Sequence, residues 1–263
     1  MKQRIGLQSF ATITILVLAC RPVGAAPTAG ELLEQALAAS EQGDSQAAVE
    51  LATRAIAADP KLAESYYYRG RERFRLGEIR AAVEDFDRYV ELRPERASRQ
   101  WERGIALYYA GKFAEGAKQF ELYQTYHDND VENSVWRYLC MVPTTGVKKA
   151  QSVMLPIRDD RRVPMMQIFE LYRGNLTPQA VLEKCTDDDP PPDVLAGRLF
   201  YAHLYLGLYF EVKQQPELAA KYIRLAARKE NREARVNRYM WDVARIHASR
   251  LPAKTQQGQP KRK

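Results

Sequence analysis

Cysteine and histidine are both scarce, three of each in 263 residues. Three cysteines exclude a disulfide framework, because small stapled domains carry them densely and in even number. Cys140 lies between Leu139 and Met141, and Cys185 lies just before Asp187, Asp188 and Asp189, with no CxxC spacing and no adjacent histidine. Neither a zinc site nor a thiol nucleophile is indicated. Buried free thiols are expected, with one bridge in an oxidising compartment as the alternative. His127, His203 and His247 are far apart and lack the helical spacing of a metal site. Also missing are a GxSxG elbow, a glycine-rich phosphate loop and a carboxylate pair distinct from surface charge. The acidic cluster of Glu183 and Asp187 to Asp189 has no EF-hand spacing and runs into Pro190, Pro191 and Pro192, so it reads as a solvated loop. No enzyme, no metal and no cofactor is expected.

No long apolar run occurs either. The best candidate is Ile5 to Leu18, preceded by Lys2 and Arg4 and interrupted by Gln8, Ser9, Thr12 and Thr14. A spanning helix needs about 20 apolar residues, whereas this layout is that of a secretory signal, which puts residues 1–25 outside the fold and the protein outside the cytoplasm. Two processing routes stay open. Val17-Leu18-Ala19-Cys20 resembles a bacterial lipobox, which would lipidate Cys20 and supply the only link to a membrane. Val23-Gly24-Ala25 offers the small residues an ordinary signal peptidase needs, and an uncleaved anchor is the third reading. Charge of one sign is also short: the formal excess is +7, part of it in the first four residues and in Lys261-Arg262-Lys263, while elsewhere acids and bases interleave. A nucleic-acid face is not indicated.

What the chain does have is a period. Gly43, Gly77 and Gly111 are 34 residues apart; so are Pro60 and Pro94, Gly70 and Gly104, Phe86 and Phe120, and Tyr89 and Tyr123, and Ala48, Ala82 and Gly116 keep a small residue on the same register. The glycines at 43, 77 and 111 suit the left-handed end of a first helix, and the prolines follow the end of a second. The small residues let the two helices approach, and the aromatics fill the space between neighbouring pairs. This set resembles the tetratricopeptide repeat, a helical hairpin of about 34 residues, and implies an all-α solenoid of antiparallel helix pairs. Three regular repeats are expected at 29–62, 63–96 and 97–130, followed by two degenerate helical pairs over 131–185, interrupted where Pro143-Thr144-Thr145-Gly146 breaks a helix. Residues 186–195 read as a Pro/Asp loop. Phe200 to Glu211 and Glu217 to Arg228 return to the repeat pattern within 196–251. Val236 to Leu251, with Tyr239, Val243 and Ile246 on one side, is expected to cap the last pair, and 252–263 to be a disordered basic tail.

Four stretches are similar to a narrower family, the NlpI-like bacterial lipoproteins: Glu102 to Lys112, Trp136 to Leu139, Phe169 to Leu176 and Leu206 to Phe210. That resemblance implies a lipid-anchored, dimeric scaffold in the periplasm that brings cell-wall hydrolases to a processing protease, with peptides held by repeat helices. The unorthodox lipobox, the triple-Asp triple-Pro loop and the basic tail depart from it. A structural part of a secretion or motility assembly is the alternative function.

In stacked repeats the first helix of each pair lines the inner face. The register places Tyr67, Arg71, Phe74 and Arg75 there in the second repeat, and Trp101, Ile105, Tyr108 and Tyr109 in the third. Aromatic and arginine side chains of this kind are enriched at binding hot spots, so these eight form the candidate partner-binding groove, although consecutive Tyr66, Tyr67 and Tyr68 require some core packing. Arg71 and Arg75 suit a carboxylate or an acidic segment, and a helix face left to solvent accounts for them equally. Tyr67 and Arg71 stand where the chaperone-binding class of these repeats carries its carboxylate-clamping lysine and asparagine, so that clamp is not expected, and an arginine-based version of it stays open.

Overall fold

The computed structural model describes residues 26–252 except Glu233 and Arg235, so the expected signal with Cys20, and the tail after Pro252, lie outside the described residues. Thirteen α-helices and two 3-10 turns, with no strand, make up these residues. They are α1 (Ala29–Gln42), α2 (Ser45–Ala58), α3 (Ala63–Leu76), α4 (Ile79–Leu92), α5 (Trp101–Tyr109), α6 (Phe113–Gln124), α7 (Val131–Thr145), α8 (Val147–Ser152), α9 (Met165–Arg173), α10 (Pro178–Thr186), α11 (Pro192–Val212), α12 (Pro216–Ala226) and α13 (Arg238–Arg250). None of them is long and apolar enough to cross a membrane.

Local chemistry sets the ends. A capping box opens α1, in which the Glu31 backbone N–H donates to Thr28 Oγ1 at 3.3 Å and the Thr28 N–H donates to Glu31 Oε2 at 2.8 Å. Gly43 and Gly77 close α1 and α3 at a φ of 84°, a left-handed conformation that costs a residue with a Cβ far more. Close packing explains Gly207 on α11, where a Cβ would fall 2.6 Å from Ile223 Cδ1 on α12. An arginine clamp repeats with the fold. Arg69 Nε donates to Asp85 Oδ2 at 2.9 Å, Arg103 Nη1 to the Gln119 side-chain oxygen at 2.8 Å, and Arg137 Nη1 to the Val153 carbonyl at 2.5 Å. Both ends of the clamp advance by 34 residues, from Arg69 to Arg103 to Arg137 and from Asp85 to Gln119 to Val153. It ties the first helix of each pair to its second helix or the turn that follows, and carries the repeat register into α7 and α8.

Three local expectations are refined, the first of them the interruption at Pro143-Thr144-Thr145-Gly146, which falls at its last residue. Helix α7 runs through Pro143 and stops only at Gly146, whose φ of 78° ends it; Thr144 and Thr145 hydroxyls both donate to the Met141 carbonyl along that last turn. Helix α11 begins at Pro192 inside the expected loop, because proline fits the first helical position, where its missing N–H is no loss. A 3-10 turn, Pro94–Arg99, precedes α5, so Pro94 opens a new turn as well as following α4.

The largest addition concerns α13. Its buried side carries Tyr239, Val243 and Ile246, and it packs on α12, but it also crosses the inner face to reach α3. Tyr239 stacks on Phe74 of α3 with ring centroids 4.8 Å apart and meets Trp101 of α5 edge-on at 5.3 Å. Asp242 Oδ2 accepts from Arg75 Nε at 2.9 Å. Further along, Arg250 Nη1 donates to the Tyr109 carbonyl at 3.0 Å, and His247 Nδ1 lies 3.0 Å from the Tyr109 hydroxyl. The last helix therefore covers the last pair, as expected, and is also a strut across the inside of the curve.

Candidate functional site on the inner face

Of the eight groove residues inferred from the register, Arg71, Phe74, Arg75, Trp101 and Tyr109 meet α13 directly, so the inner face is not an open channel. Phe74, Ile105 and Tyr109 are buried core, which corrects their assignment to an exposed surface. The physical reason is area: an aromatic inner face of this size needs an apolar cover, and α13 supplies it. Tyr67 is half-buried, its hydroxyl donating to Glu102 Oε1 at 2.8 Å, and Arg71 lies 5.7 Å from both the Tyr67 and Tyr239 rings. Arg75 is consumed by ion pairs, 2.8 Å to Glu72 and 2.9 Å to Asp242. Tyr108 is half-buried edge-on against Trp136 at 5.4 Å. Trp101 keeps one side on a cavity, which Ile105 also lines, while its other side meets Tyr239.

That cavity, about 200 Å³, lies where the amino-terminal end of α13 passes over α5 and α7. Its apolar wall is Trp101, Ile105, Phe120, Tyr123 and Trp136; its polar side is Asp130, Glu132, Asn133 and Arg162; and Asn237 and Met240 close it from the α13 side. The polar groups form one network. Arg162 donates to Asp130 Oδ1 at 2.7 Å, Glu132 Oε1 at 2.7 Å and Asp160 Oδ2 at 2.6 Å. The other oxygen of Glu132 accepts from the Tyr205 hydroxyl at 2.7 Å, which joins α7 to α11 across the curve. Burial pushes the Glu132 carboxyl up to about 7 against the opposing pull of Arg162. Asp160 is also desolvated, yet hydrogen bonds and charge from Arg162 hold it below the usual carboxylate range. Two polar atoms in the wall have no protein partner, Asn133 Oδ1 and Trp136 Nε1, in side chains 2% and 1% exposed.

Most of this site escaped the sequence reading, which looked to α3 and α5. Asp130, Glu132, Asn133 and Trp136 crowd the first turns of α7, an acidic start followed by an aromatic at i+3 and i+4 that could have flagged one helix face. The remaining candidates behave as inert structure. Cys140 and Cys185 are free and buried, and burial pushes both thiols up, Cys185 to about 11, so neither is a ready nucleophile. Asp187 pairs with Lys184 and Asp188 with Arg198, and no group of three metal-binding side chains occurs among the described residues.

No family model matches the chain, and no curated protein matches its sequence. Solved structures do. A tetratricopeptide-repeat protein from Parabacteroides merdae superposes with a TM-score of 0.51 at 15% identity, covering 83% of each chain. MamA from Desulfovibrio magneticus RS-1, from residue 41 to its end, gives 0.46 at 16% identity over 78% of this chain and 96% of its own. A thermophilic repeat protein from Thermus thermophilus gives 0.43 at 14% identity over 86% of this chain and all 100% of its own. With the helix order above, the first of these defines the fold as an all-α tetratricopeptide-repeat solenoid.

Proposed function

We propose that the chain is a non-catalytic scaffold that holds a protein or peptide at a part of the inner face that α13 leaves uncovered. The observation that carries this is the cavity at Trp101 and Trp136, with aromatic walls and a carboxylate-rich side. Repeat solenoids present such surfaces to extended partners, and buried aromatics in a pocket are the usual anchors of binding energy. The signal-like start and the NlpI-like stretches favour an exported adaptor of the cell envelope, tethered by lipidated Cys20, acting as a dimer and linking cell-wall hydrolases to a processing protease.

Affinity isolation from envelope extracts tests this. The wild-type protein should recover a wall hydrolase or protease, and Trp101→Ala, while still folded by circular dichroism, should recover about tenfold less or lower, the loss expected of a binding anchor. Recovery undiminished in the variant rejects the inner face. Stoichiometric subunits of a secretion or motility machine in place of hydrolases would make the chain a structural part instead.

A further inference from the structure

We infer that the cavity between α5, α7 and the start of α13 is a receptor for a basic side chain, a lysine or arginine presented by a bound peptide. This rests on the scaffold reading and names what the scaffold grips.

Charge is the first argument. Asp130 and Glu132 in the cavity lining and Asp160 outside it converge on the single guanidinium of Arg162; the two aspartates alone outnumber that charge, and Glu132, its carboxyl raised to about 7 by burial, adds a partial charge at neutral pH. Arg162 is 49% exposed and stands on the polar side of the cavity, its donors directed to these carboxylates. An anion would meet that excess, while a cation would relieve it. The unpartnered atoms are the second argument. Asn133 Oδ1 is a buried acceptor without a donor, and its own amide nitrogen already donates to Gln124 Oε1 at 2.8 Å, which sets the side chain's orientation. Trp136 Nε1 is a buried donor without an acceptor. Leaving such groups unpaired costs about 1–3 kcal/mol each in general. A basic side chain entering the cavity answers the first of these, its ammonium or guanidinium donating to Asn133 Oδ1.

Shape is the third. At about 200 Å³ the cavity is smaller than the roughly 300–1,000 Å³ of small-molecule sites, and suits one long side chain. Trp101 and Tyr123 add aromatic rings to the wall, and a cation over such a face gains from the ring quadrupole.

The test is two-dimensional NMR of the full-length protein, following the indole N–H signals of Trp101, Trp136 and Trp241. The probes are acetyl-Ala-Ala-Lys-Ala-Ala-amide and its norleucine and glutamate counterparts. The lysine peptide should shift Trp101 and Trp136 saturably and leave Trp241 in place, and the norleucine peptide, equal in length but uncharged, should bind at least about tenfold more weakly. Glu132→Gln, which keeps a partner for the Tyr205 hydroxyl, should weaken the lysine peptide by a similar factor with an unchanged melting midpoint. Should that variant not fold, Asn133→Leu serves the same comparison. Equal binding of the norleucine or glutamate peptide, or no response to any of the three, overturns the inference. So does a shift of Trp136 on deleting residues 253–263 with no peptide added, which would assign the site to the chain's own basic tail. The scaffold reading fails separately, when Trp101→Ala keeps its envelope partner.

Discussion

Tyr239→Ala should lower the free energy of unfolding by about 4 kcal/mol, the range for removing a buried aromatic, and should broaden or split a single urea transition. Tyr239 is the centre of the α13 contact: stacked on Phe74, edge-on to Trp101 and under the Arg71 guanidinium at 5.7 Å. Aromatic pairs of this geometry add roughly 0.5–1.5 kcal/mol beyond the area they bury. The change in transition shape follows from connectivity. A solenoid whose repeats touch only their neighbours unfolds piecemeal, whereas a strut from the last helix to the second and third repeats couples the two ends. A loss near 1 kcal/mol with an unchanged transition would mean that α13 only covers the last pair.

Acidification should remove a second large contribution, and His247 shows why. Buried at 5% exposure, with Arg250 nearby, its imidazole is pulled from 6.5 down to about 4. With the Tyr109 hydroxyl donating to Nδ1, the neutral ring carries its proton on Nε2, 3.4 Å from Glu211 Oε2. The unfolded chain thus binds the proton more readily than the folded one between these values. Stability is fully present above pH 6.5 and falls as pH drops toward 4, by about 3 kcal/mol for this group. His203 on α11, pulled down to about 4 by burial with help from Arg228 and Lys221, adds in the same direction. Glu132, raised by burial to about 7, works in the opposite direction, since the folded state holds its proton more tightly. The comparison that isolates His247 is therefore wild type against His247→Gln, which keeps a partner for Tyr109 and does not titrate. Unfolding free energies measured from pH 7 to pH 4 should converge by about 3 kcal/mol as the wild type weakens. Parallel curves would show that His247 is not held neutral against α5.

The period was readable because it is written in residues whose backbone or packing role admits few substitutes. Gly43 and Gly77 occupy left-handed turns, and Gly104 faces Phe120 so closely that a Cβ would lie 2.6 Å from its ring. The Arg69, Arg103 and Arg137 series was equally visible, and would have carried the register into α7 where the glycines and prolines fall out of step. The docking of α13 was not visible. The spacing of Tyr239, Val243 and Ile246 shows that one side is covered, but periodicity names a face and not the surface that meets it. The cavity is harder still, since Trp101, Trp136, Arg162 and Met240 come from four segments that only the curvature of the solenoid brings together. Within it, the start of α7 contributes the most residues from one stretch of sequence, Asp130, Glu132, Asn133 and Trp136.

The central claim is that a partner enters the inner face beside α13, and site-specific photo-crosslinking tests it most directly. A benzophenone side chain placed at position 101 lines the cavity, and one at position 80, on exposed Arg80 of α4, reports on a different surface. Irradiated in the envelope fraction, the protein should form a discrete adduct with a second protein from position 101 and none from position 80. An adduct from position 80 alone, with position 101 reacting only within its own chain, would contradict the account.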